Sequence, residues 1–366
     1  MCDVNTTPHT TSTFESMTDG MNRCLNLSAN WESRKIRGTF SFHCRHLTLP
    51  LQQSSNISTS STNTTTKQKG YFNIQPLDAL LPPGPPILEL ISPPPTHHPY
   101  SAGKTSLLYL LIAHAILPAS FSSTKLGGHD AAIILFDPSS HFSVSRLSSV
   151  MFDLLCSSLQ ASGKIIDEAI KADVREVVKR SLHHVHIFRP QSWTASLATL
   201  KGLPDYLFDG TRHKSMHRRI HSIILEDIDA FVWDIRSSSY TTHSTSTNPL
   251  STASAHLTTN LAQLSKLFSC ATILTSLSSS SNSFRPHLPT QWPQGSLVTR
   301  LAVRRVEVLK FPPVIGVQEA EAERLRRWDV VARGRFECWK VGMSVRDGEG
   351  FVFRIGERGV EIEQDG

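Results

Sequence analysis

An α/β fold with a mainly parallel sheet flanked by helices is what this 366-residue sequence predicts, on three observations. Short apolar runs of strand length alternate with longer segments of helical spacing, the pattern of right-handed β-α-β crossovers. The runs are nearly continuous in Ala, Val, Ile and Leu rather than alternating, as strands covered on both faces require. The first run leads through a loop into Gly103-Lys104-Thr105-Ser106 and an apolar helix, the order of a phosphate-binding loop.

Taken in order, residues 1–69 are crowded with Ser, Thr and Asn and have no period of 2 or 3.6, so disorder is expected there. Residues 70–86 are apolar but proline-broken, an entry segment packing on the core. The first strand is expected over 87–91 and the first helix over 105–117. A second buried strand follows over 131–136, ending at Asp137. The spacing of Val144, Leu147, Val150, Met151, Leu154 and Leu155 predicts a helix over 143–161, and a second helix spans 165–182. A third strand (184–188), a helix (192–207) and a fourth strand (222–225) come next. Loose Ser/Thr-rich loops are expected over 237–254 and 276–294, flanking a helix (255–268) and a fifth strand (270–275). Residues 296–309 alternate like a strand with one exposed face, 319–333 form a solvent-facing helix, and strands at 335–340 and 350–355 add an antiparallel extension. Residues 70–366 therefore read as one folded domain behind a low-complexity segment.

The net charge of +6 is compatible with a polyanionic partner but is spread along the chain. The six cysteines include no C-x-x-C pair, which argues against a zinc ribbon or a disulfide framework and fits a reducing compartment. The longest apolar run, 107–117, contains His114 and is far short of the roughly 20 residues of a membrane span. No membrane association is expected, and no basic-then-apolar leader is seen. The sequons at Asn5, Asn26, Asn56 and Asn63 read as products of a Ser/Thr/Asn-rich composition.

The chemistry concentrates at the strand ends, because ligands of open α/β sheets sit beyond the carboxyl ends of strands. Lys104 can reach nucleotide phosphates, Thr105 can offer a hydroxyl to Mg²⁺, and Ser106 continues the helix. The front of the loop departs from G-x-x-x-x-G-K-[ST]: His98 stands where the first glycine belongs, among Pro93, Pro94, Pro95 and Pro99. Proline supplies no N–H to a phosphate, and histidine resists the turn that glycine permits. The plain alternative is a chance Gly-Lys-Thr at a helix start. Across the site, Asp137, Glu226 and Asp227 end apolar strands, and Glu226 or Asp227 would serve as the second Mg²⁺-side acid. An acid that merely caps a turn is the competing explanation for each.

Two clusters point elsewhere. Arg212, His213, Lys214, His217, Arg218 and Arg219 could meet phosphates, act as an import signal, or form a solvated helix face. His213, His217 and His221 recur every four residues, the spacing of ligands on one helical face, although no carboxylate or cysteine joins them locally. His183, His184 and His186 read as strand-edge and surface residues. Trp292 could stack a base or simply pack.

From about 87 to 362 the chain resembles the RecA-family recombinases of eukaryotes, and within them the recombinase paralogues. ILFDPSSHFSVSRL carries the family's strand-two block in Asp137, Phe142, Arg146 and Leu147. HIFRPQSWTASLATLKGLPDYL resembles the next strand and helix, and IILEDIDAFVWDIR the second acidic motif, with Ala230, Phe231 and Trp233. RFECW and GFVFRIGERGVEI resemble the closing β-ribbon. The resemblance implies a RecA-like P-loop NTPase core with a C-terminal antiparallel β-ribbon. It implies ATP and Mg²⁺ as cofactors, held by Gly103, Lys104, Thr105, Ser106, Asp137 and Glu226 or Asp227. Active members have a water-polarising glutamate two residues after the strand-two aspartate; here that position is Ser139, and loss of a general base costs roughly 10²–10⁴ in rate. Weak or no hydrolysis is therefore expected. The family's two DNA-facing loops would be 237–254, which has no Lys or Arg, and 276–294, which has Arg285 alone. Candidate DNA contacts are accordingly Arg212, Lys214, Arg218, Arg219 and Arg285. The implied role is that of a nuclear accessory subunit that joins other paralogues and assists the strand-exchange recombinase in double-strand break repair by homologous recombination. The alternatives are an active DNA-stimulated ATPase and a small-molecule P-loop kinase.

Overall fold

The computed structural model describes residues 70–94, 103–239, 248–280, 284–306, 316–332, 334–343, 348–356 and 358–363. Residues 1–69, His98, and the centres of the two Ser/Thr-rich loops lie outside this set. The first half comprises α1 (Gln75–Ala79), β1 (Ile87–Ser92), α2 (Lys104–Ile116), a small hairpin of β2 (Ser120–Phe121) and β3 (Thr124–Lys125), β4 (Ala132–Phe136), α3 (Val144–Ala161), α4 (Glu168–Leu182) and β5 (Val185–Phe188). The second half comprises α5 (Trp193–Leu207), β6 (Ile220–Leu225), a 3-10 turn (Ile228–Phe231), α6 (Val232–Ser239), α7 (Pro249–Phe268), β7 (Ala271–Leu277), β8 (Val298–Arg305), α8 (Val317–Ala332), β9 (Arg335–Lys340), β10 (Gly350–Gly356) and β11 (Gly359–Ile362).

Nine strands form one sheet in the order β11-β10-β9-β8-β1-β7-β6-β4-β5. From β8 to β5 every pairing is parallel, with Leu88 of β1 opposite Ile273 of β7 on one side and Thr299 of β8 on the other. From β8 to β11 the pairings are antiparallel. The chain moves one way across the sheet from β1 to β4 to β5, then back through β6 and β7 to β8. Right-handed crossovers travelling in opposite directions leave their helices on opposite faces.

Two apolar cores follow. One joins Leu107–Ile116 side chains of α2, Leu147 and Met151 of α3 and Val174 of α4 to Ile133 and Leu135; the other joins Leu200 of α5, Ile235 of α6 and Leu257 and Leu261 of α7 to Ala132, Ile134 and Phe136. Successive residues of β4 thus feed opposite cores, which is why that run is apolar throughout. The expected mainly parallel α/β sheet flanked by helices is the observed architecture, and the closing strands form its antiparallel end.

Several expectations are corrected. The loop expected over 237–254 is shorter, because α6 runs to Ser239 and α7 begins at Pro249. Asn248 caps α7, its side chain accepting from the Leu250 N–H at 3.1 Å, and Pro249 takes the first helical position, where a missing N–H costs nothing. The helix expected from 165 begins at Glu168, where Asp167 accepts from the Ile170 N–H at 2.8 Å. The 296–309 segment is not an exposed-face strand: Leu301, Ala302 and Val303 are buried because β8 lies between β1 and β9. Trp292 is a packing residue. Its indole N–H donates at 2.5 Å to Glu89, a buried carboxylate on β1 that also accepts from Arg300 Nε at 2.5 Å. No helix among the described residues is long and apolar enough to cross a membrane.

Candidate functional site

At the carboxyl edge of the sheet, neighbouring β1 and β7 send their outgoing chains to opposite faces, which opens a crevice between them. Gly103 caps α2 in the left-handed region, at φ 82° and ψ −2°. The first turn of α2 therefore points its free N–H groups and positive dipole end into the crevice. Lys104 is buried, and its ammonium donates to Ser92 Oγ at the end of β1. Burial lowers its pKa, while Asp227, Asp229 and Glu226 oppose that shift. Thr105 Oγ1 donates to Glu226 Oε1 at 2.6 Å, across the 121 positions that separate them in sequence. Ser106 sits half-buried in the same turn.

Glu226 is turned inward. Burial, reinforced by Asp227 and Asp137, pushes its carboxyl up to about 7 against the lowering effect of the Thr105 hydrogen bond. Its Oε2 is buried with no hydrogen-bond partner among the described residues. Asp227 does the reverse. It adopts a left-handed backbone (φ 46°), its N–H donates to Thr275 Oγ1 at 2.9 Å, and its carboxylate faces out to His141 Nδ1 at 2.9 Å. Glu226 rather than Asp227 therefore faces Thr105. Asp137 is buried, but its oxygens are engaged by the N–H groups of His141 (2.9 Å) and Phe142 (3.3 Å) and by Arg189 Nε (3.3 Å). It closes the turn after β4 rather than reaching the first turn of α2. Ser139 lies half-buried in that turn.

Asp229 was not among the residues singled out from sequence. Its carboxylate accepts from the Leu277 N–H, tying the turn after β6 to the end of β7, and burial raises it to about 7 against the lowering influence of that N–H and of Lys104. The signal was present, since Asp229 lies in the same EDID segment as Glu226.

The expected DNA contacts do not form one surface. Residues 208–219 are not helical but a chain of turns at the amino edge, opposite the crevice. Arg218 bridges Asp130 at 2.6 Å and donates to the Ile116 carbonyl at 3.0 Å; Arg212 pairs with Asp209 at 2.9 Å; Arg219 contacts His129 Nδ1 at 3.3 Å. Lys214 is exposed beside them. Arg285 lies at the other edge, where its carbonyl accepts from the Ser279 N–H at 2.9 Å.

The spaced histidines do not share a helical face. His221 is buried on β6 against Tyr71, His213 packs on His186 and Tyr206, and His217 meets the His184 ring. Among the described residues, no group of three or more His, Cys, Asp or Glu is arranged to hold a metal ion. His184 and His186 are buried, contrary to the surface position expected, because residues 208–219 fold over them and Ser215 Oγ contacts both, at 2.8 Å and 2.9 Å. Burial, with His213 and His184 nearby, pushes His186 down to about 4. Between the unfolded value near 6.5 and the folded value the unfolded chain binds the extra proton, so stability present above pH 6.5 is lost as pH falls. Lowering pH from 6.5 to 5 should cost on the order of 2 kcal/mol through this residue. In urea titrations at those two pH values, His186→Gln should show a correspondingly smaller loss than the parent. An equal loss would show that His186 is not held neutral.

No protein-family model matches the chain, and no curated protein matches it. Fold and site together define an α/β protein with a large, mostly parallel sheet flanked by helices, carrying a Gly-Lys-Thr helix start against an inward acid at the carboxyl edge.

Proposed function

We propose that this chain is a RecA-like P-loop protein with a degenerate ATP site, acting as an accessory recombinase paralogue in homologous-recombination repair. Its motif blocks resemble those of X-ray-repair cross-complementing protein two. The observation that carries the nucleotide part is the 2.6 Å contact from Thr105 to Glu226, beside the buried ammonium of Lys104. A hydroxyl in the first turn of a helix and a carboxylate just past the end of a strand far away in sequence are donors that Mg²⁺ on a nucleotide uses, together with phosphate oxygens. The unpartnered, buried Oε2 of Glu226 fits the same group, since a hard cation would satisfy it. Thr105 and Glu226 would hold Mg²⁺, which when bound neutralises phosphate charge.

In this role Lys104 would meet the phosphates, and Asp227, Asp229 and Glu226 favour its charged form against the effect of burial. Ser139 provides no carboxylate to orient water, so nucleotide binding serves assembly more than turnover. The split of the basic residues between two edges favours DNA engagement through a complex with other paralogues in the nucleus. Co-purification from nuclear extract tests the assembly. RecA-family paralogues should be recovered with the tagged chain, and their absence with or without DNA damage would count against the proposal, as would rapid DNA-stimulated ATP turnover by the purified protein.

A further inference from the structure

The amino edge of the sheet carries a cavity that the nucleotide proposal does not use. It measures about 660 Å³ and lies between the end of α4, the α4–β5 connection and the turns leading into β6. Arg180, His183, His184, Lys214, His217 and Arg218 line it, and Asp130 is the one acid in the lining. That acid is already committed to Arg218 at 2.6 Å. Glu176, outside the lining, acts on His183 from α4, with Lys179 and Lys214 opposing it.

Part of this positive charge has a structural role. The carboxyl end of α2 faces this edge, and Arg218 donates to the terminal Ile116 carbonyl at 3.0 Å. The remainder has no such partner. Arg218 Nε is buried with no hydrogen-bond partner, and Arg180 and Lys214 pair with no carboxylate, among the described residues. Both have exposed side chains at the rim. The crowding is felt by His184, pushed down to about 4 by burial first and then by Arg218, His217, His183 and His213. A concave, water-accessible site with several cations and one neutralised acid concentrates anions.

We propose that this cavity binds a phosphate-bearing anion, with Lys214 and Arg180 as its exposed contacts and the half-buried Arg218 as its anchor. The phosphate comes either from a free polyphosphate or from a nucleic-acid backbone, which offer the same oxygens to these donors. The site is remote from Lys104 and stands or falls independently of the nucleotide proposal.

The test is calorimetric titration of pyrophosphate into the full chain carrying Lys104→Ala, which silences the phosphate loop. Saturable binding is expected, weakened at least about tenfold when Lys214→Ala and Arg180→Ala are added. Both substituted side chains are exposed, so the fold should survive, and an unchanged thermal transition verifies it. Absence of saturable binding in the Lys104→Ala background, or an unchanged Kd in the triple variant, overturns the proposal. Competition by a deoxythymidine oligomer of roughly eight nucleotides identifies the backbone as the phosphate source, whereas saturable pyrophosphate binding without competition identifies a free anion.

Discussion

Lys104→Ala should weaken Mg-ATP binding by about 10- to 100-fold, since a charge-assisted hydrogen bond to phosphate contributes about 1.5–3 kcal/mol. The side chain is buried, and Glu226, Asp227 and Asp229 all act on its ammonium. Its removal takes away the positive neighbour that lowers Asp229, whose carboxyl burial has already raised to about 7. An arginine should not rescue binding, because the ammonium occupies a buried niche against Ser92 that a planar guanidinium does not match. Titration with a fluorescent ATP analogue provides the measurement. Equal affinities for parent and Lys104→Ala would mean that this helix start does not hold phosphate, and the nucleotide part of the proposal would fall.

The order of elements was legible because each central strand is covered on two faces. Continuous apolar runs such as 131–136 and 270–275 left little choice but buried parallel strands, and their observed limits differ by a residue or two. What stayed hidden depends on contacts distant in sequence. The α6 helix reads VWDIRSSS, whose serines resemble a loop, yet Ile235 packs into the second core and holds the turn. The Asn248-Pro249 helix start was written in capping chemistry but sat inside a Ser/Thr-rich stretch that obscured it. At the site, Lys104 and Thr105 announced themselves by motif. The choice between Glu226 and Asp227 did not, because it rests on a left-handed residue at Asp227 that rotates one carboxylate inward and the next outward. The histidines misled for a related reason: recurrence every four residues implies a face only if the segment is helical, and 208–219 is a series of turns.

Gly103→Val should be the most destabilising single change at the phosphate loop, and it tests how the closing ribbon is joined to the site. Two costs coincide there. The backbone sits at φ 82°, which a β-branched residue adopts at a cost of about 1–3 kcal/mol. A Cβ would also lie 2.9 Å from Phe336 Cδ1 and 3.2 Å from Ile355 Cδ1. Phe336 cannot easily step aside, being buried and stacked on Phe353 with centroids 5.5 Å apart. Overpacking of this kind adds about 1–3 kcal/mol. Gly163 supplies the control, since its φ is 81° and a Cβ at that position would meet nothing within 4 Å, so Gly163→Val carries the backbone strain alone. Urea denaturation should place Gly103→Val below Gly163→Val by the packing contribution, and nucleotide affinity should fall in the first variant alone, because the displaced residue precedes Lys104. Equal stability of the two variants would mean that the ribbon merely lies near the loop. A larger deficit in Gly103→Val would mean that β9 and β10 hold the first turn of α2 in place, and that a partner engaging the ribbon has a mechanical route to the lysine.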